Sequence, residues 1–489
     1  MKLSENPIFL THKRLVHRGG VLAAVVIAAL IGFSLLLGLV GSLSELSQHR
    51  WGFRSPESTG KGYYGWVIGV EILVLVMGGF SRISRALAED RKAGLWDSNR
   101  LTPLKPAQIV AGYWFAPALR EFYMAAVLAG FGLLVVLFSH LPVTLWLGTQ
   151  TLILSTALFC GLLGMLLGMA VQKSPGALIF VVMLFAYPFA FIAPGRILTN
   201  FLFPIYGLIN QFQIQTSDRN LNWTHNPELF SLPVPALLVS LGLQAVIGWF
   251  VWRVLVRKTA NPFQPLLLRW EAVAIFSLLV FTQHALIWNG WNDANYGNRN
   301  EQLLAITHGG TLLVGLALLL LASRPPEQIR IESMRLGLKN VAQIFSRSSV
   351  SLALALGGVA AVAMTLQFFT RLAEDFSTLL VVAVNLMMIF LIFTLLLEFC
   401  RLRHKRRSLG FVALWLFVLV VVPLILAGVF QSEETARVCL LAPSFIALAD
   451  SDRDNLPSLH LVNLVHFAVV IFLCLNWRRQ WQKLLQRAA

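Results

Sequence analysis

The chain has 489 residues, of which 57% are hydrophobic and only 13% are charged. Because soluble domains carry about 25% charged residues, this composition, with a mean hydropathy of +0.71, excludes a water-exposed globule. The net charge of +16 resides in short loops between apolar runs, which indicates membrane lipids with anionic headgroups, and no nucleic acid, as its partner. These features predict an all-α polytopic membrane protein.

The first residues of the chain mix apolar side chains with lysine and arginine. Such a segment is typical of a short amphipathic helix that lies along the inner headgroup layer, and a disordered basic tail is the alternative. The apolar run that follows, about Val21 to Leu43, is too long for the core of a signal peptide and lacks a small-residue cleavage site. We therefore expect a retained first span.

Apolar runs bounded by polar clusters predict about twelve transmembrane helices. The spans form two sets of six, which divide the chain into six-helix halves at residues 1–258 and 259–489. The predicted spans are 21–43, 65–82, 108–138, 143–171, 177–194, 234–252, 272–290, 303–322, 350–369, 377–398, 409–430 and 460–476.

The lysine and arginine residues decide the predicted orientation of these spans. With the N-terminus inside, about 29 of the 39 basic residues lie on the inner side and about 9 lie outside. Because short cytoplasmic loops carry the excess of positive charge, both the N- and the C-terminus are predicted to be cytoplasmic.

The two halves share features in the loop that precedes the last span of each. Residues 195–233 and 431–459 are both long, and each contains a Leu-Pro pair near its end, Leu232-Pro233 and Leu456-Pro457. Weak internal symmetry of this kind is typical of duplicated transporter folds. The pattern favours a parallel duplication, and features common to all membrane sequences are the alternative explanation.

A polar segment, residues 84–112, separates the second and third predicted spans. Residues 86–93 continue the second span as a helix, and Gly94 ends it at low steric cost. Residues 95–101 are long enough for a short surface helix with Leu95 and Trp96 as its apolar contacts. Thr102 and Pro103 form an N-cap and first-turn pair, which predicts that the next helix starts there. The result is a stiff elbow.

This segment resembles the ABC-2 type permeases, the membrane subunits of a class of ABC transporters. The residues that carry the resemblance are Asp90-Arg91, Gly94, Thr102-Pro103-Leu104, Ile109 with Gly112 and, near the N-terminus, Asn6-Pro7. The chain departs from the family pattern at Leu95, where threonine is common, at Asn99-Arg100, where two aliphatic residues are usual, and at Tyr113, where lysine is frequent. The resemblance covers residues 1–258; the second half shares only the span pattern, and its inner loop at 323–349 has no Thr-Pro-Leu.

The resemblance implies a permease subunit in a bacterial-type inner (plasma) membrane, which couples ATP hydrolysis by a separate subunit to translocation of a substrate, mostly export. Such a chain is not itself an enzyme and binds no cofactor directly. ATP-Mg binds to the partner, a cytoplasmic ABC ATPase (nucleotide-binding) subunit, and two fused halves imply two copies of that ATPase. The sequence agrees, because it contains no GxxxxGK[ST] phosphate loop and no pattern of catalytic residues or metal ligands. The elbow that couples to the ATPase consists of Glu89, Asp90, Arg91, Gly94, Trp96, Thr102, Pro103 and Leu104.

Three charged residues fall inside predicted spans: Glu71, Arg120 and Glu121. An ionised side chain at the bilayer centre costs about 2.5 kcal/mol or more, so each should face protein or water. Because helical neighbours at i and i+1 point apart, Arg120 and Glu121 are expected to pair with other helices. We expect an ion pair between Glu71 and Arg120, either as a structural link between helices or as part of a substrate path.

Two other classes of function fit the same span pattern. Twelve spans with cytoplasmic termini are also the layout of major-facilitator secondary transporters, and Glu89-Asp90-Arg91 superficially resembles the Asp-Arg motif of that superfamily. In that motif the glycine follows the arginine by two residues, whereas here the spacing is three and Thr-Pro-Leu follows. The second alternative is a non-transporting membrane scaffold or assembly subunit.

Overall fold

The structure, a computed structural model, describes the backbone of most of the chain. The described residues are 5–18, 20–48, 56–170, 228–229, 232–261, 264, 266–287, 311–312, 314–323, 329, 331, 348–369, 376–403 and 456–486.

The described residues are almost entirely helical. From the N-terminus they form α1 (Pro7–Arg18), α2 (Val21–Gln48), α3 (Pro56–Ile72), a π-helix (Leu73–Gly78), α4 (Gly79–Lys92), α5 (Leu95–Leu101), α6 (Pro106–Phe115), α7 (Leu119–Phe138) and α8 (Val143–Ala170). After a short antiparallel pair of strands, β1 (Glu228–Leu229) and β2 (Leu232–Pro233), come α9 (Ala236–Ala260), α10 (Arg269–Ile287), α11 (Ser349–Phe369), α12 (Phe376–Arg403) and α13 (Leu456–Gln486).

Seven helical segments of the described part are long and apolar enough to cross a membrane. They are α2, the continuous segment α3–π–α4, α7, α8, α9, α11 and α12. Two further predicted spans, 272–290 and 460–476, coincide with α10 and α13, and 314–322 is helical within the span predicted at 303–322. The predicted spans at 177–194 and 409–430 lie outside the described residues. A helical membrane-embedded protein is thereby confirmed, and the number twelve stays a prediction.

The third predicted span, 108–138, is not one continuous helix. It is broken between Phe115 and Leu119, where Ala116, Pro117 and Ala118 form a turn. Pro117 has no amide hydrogen and cannot donate the helical hydrogen bond to the carbonyl four residues before it, and Ala118 after it departs from helical geometry, with φ -92° and ψ 5°. The ten-residue helix α6 is therefore separate from the spanning helix α7.

Internal contacts divide the chain into two compact units. The first contains the described residues up to Ala170 together with those from Val234 to Gln264, and the second contains the β pair and the described residues from Leu266 onwards. The two Leu-Pro pairs differ locally, because Leu232-Pro233 forms β2 whereas Leu456-Pro457 begins α13. The long loops before them lie almost wholly outside the described residues, and so does most of the inner loop 323–349. The duplication therefore stays a prediction.

In the first unit, α4 and α8 approach each other backbone to backbone. A Cβ atom placed on Gly164 would lie 2.9 Å from the carbonyl oxygen of Phe80, and one on Gly168 would lie 2.7 Å from that of Ser84. These distances leave no room for a side chain, so the packing of the two helices requires glycine, as is common between membrane helices. The helix that leads into the elbow is thus held tightly against α8.

The second unit is held together by buried polar links between its helices. The carboxylate of Glu398 in α12 accepts a hydrogen bond from the backbone N–H of Ser349 at 2.7 Å and another from Nε1 of Trp477 at 2.6 Å. Asn385 of α12 bonds to Asn463 and His466 of α13, at 2.7 and 2.9 Å. Buried polar groups of this kind need partners, and these bonds supply them between α11, α12 and α13.

Candidate functional site: the elbow and its supports

The elbow (residues 89–104) begins where the sequence predicts. α4 ends at Lys92, and Gly94 follows with a left-handed φ of +76°. The backbone N–H of Ala93 donates to the carbonyl of Glu89 at 2.9 Å, and that of Gly94 donates to the carbonyl of Arg91 at 3.2 Å. Glycine adopts this conformation without the cost that a Cβ atom imposes. The chain can therefore reverse direction within two residues and start α5 immediately.

The short helix α5 matches the predicted bounds, but only one of its two predicted apolar contacts is buried. Trp96 is buried and packs edge-on against Tyr113, with ring centroids 5.2 Å apart. Leu95 is 52% exposed, so its predicted packing role is wrong. The two residues are adjacent in a helix and point to different sides, and the side of Trp96 is the one that faces α6.

The predicted start of the next helix at Thr102-Pro103 is also wrong. The helix α6 starts at Pro106, with Lys105 as its N-cap, and the side chain of Gln108 accepts from the backbone N–H of Lys105 at 3.0 Å. The Thr102 hydroxyl instead donates back to the carbonyl of Asn99 at 2.6 Å, which closes the end of α5. Two start signals lie close together here, and the one with proline in the first turn and glutamine at the third position prevails.

Asp90 lies at the centre of a polar cluster between α1, α4, α5 and α6. The hydroxyl of Tyr113 donates to Oδ2 of Asp90 at 2.5 Å, and Nε2 of His12 lies 3.4 Å from the same oxygen. Nδ2 of Asn99 donates in turn to the Tyr113 hydroxyl at 3.1 Å. One carboxylate therefore links the N-terminal helix α1 to the start of the elbow and to α6, the helix that follows the elbow.

Tyr113 stays a hydrogen-bond donor throughout the physiological pH range. Burial, reinforced by the hydrogen bond and the charge of the Asp90 carboxylate, raises the pKa of Tyr113 well above its usual value. The phenol therefore keeps its proton and its bond to Asp90. The hydroxyl of Tyr113 thus bonds to Asp90 while its ring packs against Trp96.

Arg91 turns away from Asp90 and bonds to the end of α8. Its Nη1 donates to the carbonyl oxygens of Gly168, at 3.3 Å, and Met169. The last carbonyls of a helix have no partner within the helix and carry the negative end of its dipole, so a guanidinium is a favourable cap. Arg91 thus fastens the base of the elbow to α8.

The N-terminal residues Asn6-Pro7 pack directly on the helix that follows the elbow. Oδ1 of Asn6 accepts from the backbone N–H of Ile8 at 3.0 Å and caps α1, while its Nδ2 donates to the carbonyl of Gln108 at 2.6 Å. A Cβ atom on Gly112 would lie 3.0 Å from Cβ of Ile8, so glycine permits this close approach. The structure therefore brings together Asn6 and Gly112, two positions of the family resemblance that are far apart in sequence.

Arg100, a position where the chain departs from the family pattern, ties the elbow to α9. Its Nε donates to the carbonyl of Thr259 near the end of α9 at 2.7 Å, and its Nη1 lies 3.1 Å from Oδ1 of Asp97. Sequence reasoning missed this contact because its two ends are 159 residues apart. The contact is the third polar link that holds the elbow to the rest of the first unit.

The part of the elbow that has no role in these links faces outwards. Glu89, Leu95, Thr102 and Pro103 are exposed, and Leu101 is 90% exposed. Leu104 is half-buried against the cluster that contains Trp96 and Tyr113. The predicted elbow residues thus fall into two groups. Five build the elbow and three form its surface: the first group is Asp90, Arg91, Gly94, Trp96 and Leu104, and the second is Glu89, Thr102 and Pro103.

The predicted ion pair between Glu71 and Arg120 is wrong. Glu71 is buried and accepts a hydrogen bond from Nε2 of Gln150 in α8 at 2.9 Å. Arg120 instead bonds to its neighbour Glu121 at 3.0 Å, and Arg82 of α4 lies 3.2 Å from the same Glu121 oxygen. Arg120 and Glu121 stand in the first turn of α7, beside the break at Pro117, where the long arginine side chain can reach its neighbour.

Searches against protein-family profiles, curated proteins and solved structures gave no match to this chain. The functional argument therefore depends on the residues of the elbow and on the contacts that support them.

Proposed function

We propose that this chain is the membrane-spanning permease subunit of an ABC transporter, and that a separate cytoplasmic ATPase supplies its energy. The observation that carries the proposal is the construction of the elbow. The elbow is cross-linked to α1, α6, α8 and α9 through Asp90, Arg91 and Arg100, while residues 101–103, which form its tip at the end of α5, are exposed. A rigid projection of this kind can transmit a movement made by a partner.

The tip carries an apolar surface that a partner can cover. Leu101 exposes 90% of its surface, and Thr102 and Pro103 beside it are also exposed. Burying one leucine stabilises a complex by about 1.5–3 kcal/mol. Single exposed leucines are common on protein surfaces, but this one sits at the end of a braced helix, beside Thr-Pro of the family resemblance. We assign residues 101–103 as the part of the elbow that contacts the ATPase.

The links at the base suggest how movement of the tip reaches the membrane. α4 and α8 touch through Gly164 and Gly168, and Arg91 of α4 caps the end of α8. They therefore behave as one body, so a displacement of the elbow tilts both helices rather than bending one. Nucleotide-driven closure of the ATPase would supply the bistable step that such coupling needs. In this mechanism Asp90, Arg91 and Arg100 position the elbow and do not contact the ATPase.

The proposal includes twelve spans with both termini cytoplasmic and one chain per complex. A second inner loop, 323–349, would serve the second of two ATPase subunits, and most of it lies outside the described residues. ATP-Mg would bind only to the ATPase. Mass measurement of the complex purified from its native membrane should give one copy of this chain and two ATPase copies, and two copies of this chain would contradict the fused arrangement.

The test of the function uses the tip. The full chain is purified from its native membrane, the co-purifying ATPase is identified, and binding is compared for Leu101→Ser and for Leu15→Ser. Leu15 is a matched control because it is a leucine that is 57% exposed on α1, outside the elbow. We expect Leu101→Ser to weaken ATPase binding about tenfold or more, since one buried leucine is worth that much, and Leu15→Ser to leave it unchanged.

Other outcomes would identify the competing functions. Substrate uptake driven by a proton or sodium gradient, with no ATPase in the complex, would show a secondary transporter. An ATPase-free complex with no transport at all would show a scaffold. Either result would overturn the proposed function.

A further inference from the structure

A groove of about 500 Å³ runs along the first unit between α8 and α9. Its volume is that of an ordinary ligand site. The walls include three tryptophans, Trp114, Trp249 and Trp252, together with Leu154 and Leu158. Both flanking helices are long and apolar enough to cross the membrane.

Small residues on α9 leave room for the groove, and the polar groups that line it are hydrogen-bonded within the protein. Ala245 and Gly248 line the groove. The hydroxyl of Ser155 donates to Oε1 of Gln244 at 2.6 Å, and Nε2 of Gln244 donates to Thr156 at 2.9 Å. Nε1 of Trp114 donates to the carbonyl of Leu158 at 3.0 Å. Because these groups are satisfied, the groove favours an apolar occupant, and an acyl chain is the apolar ligand that a bilayer supplies.

One end of the groove has a positive charge beside it. The guanidinium carbon of Arg253 lies 5.0 Å from the centre of the Trp249 ring, and Trp249 itself lines the groove. This is the end of α9 that carries basic residues in its last turn, Arg257 and Lys258. Tryptophan and arginine at the end of a membrane helix are the residues that sit at headgroup level. A guanidinium there can bind a phosphate with charge-assisted hydrogen bonds.

We propose that this groove is a binding site for one anionic phospholipid, with an acyl chain between α8 and α9 and the headgroup phosphate at Arg253. The site is distinct from the elbow, and binding of the lipid requires neither the ATPase nor transport. The proposal therefore stands or fails independently of the proposed function.

The experiment measures lipid binding to the purified full chain in detergent by native mass spectrometry. Phosphatidylglycerol is compared with phosphatidylcholine of the same acyl chains. Both lipids carry a phosphate, but the choline ammonium of phosphatidylcholine cancels the phosphate charge, whereas phosphatidylglycerol presents an uncompensated negative charge to Arg253. We expect one phosphatidylglycerol per chain, bound about tenfold more tightly than phosphatidylcholine. Equal affinity for the two lipids would overturn the assignment of an anionic headgroup to this site.

Variants separate the headgroup from the acyl chain. Arg253→Gln should reduce phosphatidylglycerol binding to the level of phosphatidylcholine. The matched control is Arg478→Gln, an exposed arginine that also follows a tryptophan in a helix of the second unit, and it should leave binding unchanged. Ala245→Phe fills the groove and should abolish binding of both lipids. Unchanged lipid binding in a folded Ala245→Phe protein, or an equal loss in Arg478→Gln, would overturn the proposal.

Discussion

Two acidic residues on one continuous helical segment, Glu57–Lys92, are stabilised in different ways. Asp90, at the elbow, accepts a hydrogen bond from Tyr113 and lies beside His12, a side chain that can carry a positive charge. Glu71, buried in the apolar part of the segment, accepts from the neutral amide of Gln150. Ionised groups within the bilayer are costly, and Glu71 accordingly bonds to a neutral amide and not to a charged side chain. At the elbow, the Asp90 carboxylate instead links side chains from several helices.

The contacts between this segment and α8, which are made mostly by α4, differ in the same way. Near Glu71 the links are neutral, and the nearby hydroxyl of Tyr64 donates to Thr149 of α8 at 3.1 Å. In the middle, glycines let the backbones touch. At the end, the charge of Arg91 caps α8. Four sets of variants, taken from the largest expected effect to the smallest, test whether packing, charge or neutral hydrogen bonds contribute most to stability.

The largest effect is expected where the backbones touch. In Gly168→Ala the new Cβ would lie 2.7 Å from the carbonyl oxygen of Ser84, so α4 and α8 must separate and Arg91 must lose its acceptors. We expect a loss of about 2–3 kcal/mol, as for other overpacked sites, measured as a lower thermal unfolding midpoint in detergent. Gly242→Ala is the control, because no atom of the described residues lies within 4 Å of a Cβ at that position of α9. Equal midpoints for the two variants would contradict the close packing.

Removal of the charged cap should have the next largest effect on stability. Arg91→Met deletes the guanidinium and leaves the carbonyls of Gly168 and Met169 without that donor, which should cost about 1.5–3 kcal/mol before discounting for partial exposure. The measurement is again the unfolding midpoint, compared with Lys92→Met, whose side chain is exposed. If the Lys92 variant loses as much stability, Arg91 acts through general charge and not as a cap.

The Asp90 cluster should show coupling between its members. Tyr113→Phe removes one donor, and Asp90→Asn removes the negative acceptor, each costing about 1–2 kcal/mol. Because the two side chains bond directly at 2.5 Å, the double variant should lose clearly less than the sum of the two single changes. Additive losses in stability measurements would show that the bond contributes little.

The smallest effect is expected at Glu71. Glu71→Gln preserves shape and an acceptor oxygen for Gln150, so we expect a change below about 0.5 kcal/mol. The change also leaves nothing charged in the apolar part of the segment. A loss as large as that of Asp90→Asn would contradict the difference between the two carboxyl sites and would restore an ionic role for Glu71.

Local signals in the sequence predicted the backbone of the elbow. The end of α4, the reversal at Gly94 and the extent of α5 follow from glycine conformation and helix length. The error at Thr102-Pro103 arose because a second start signal, Pro106 with Gln108, lies a few residues further on. Either signal is plausible alone, and the contact of Asn6 with the Gln108 carbonyl is among the interactions that favour the second.

The partners of the charged residues could not be predicted in the same way. The bond of Arg91 spans 77 residues and that of Arg100 spans 159, so no local pattern contains both ends. Gln150, which is half-buried, was missed because a single amide in an apolar run has no periodic signal, although a glutamine away from water usually has a hydrogen-bond partner. The sequence did contain Gly164-x-x-x-Gly168, a pattern that favours close helix packing, and it identifies the face of α8 that meets α4.

The π-helix (Leu73–Gly78) gives this segment a tolerance to the deletion of one residue. A π-helical turn holds about one residue more than an α-helical turn. Deleting one residue between 73 and 78 therefore restores an α-helical turn and leaves both Glu71 and Arg91 facing α8. A deletion elsewhere between them would rotate everything beyond it by about 100°. In related chains, a change of one residue in the length between the buried glutamate and the elbow is expected at this stretch.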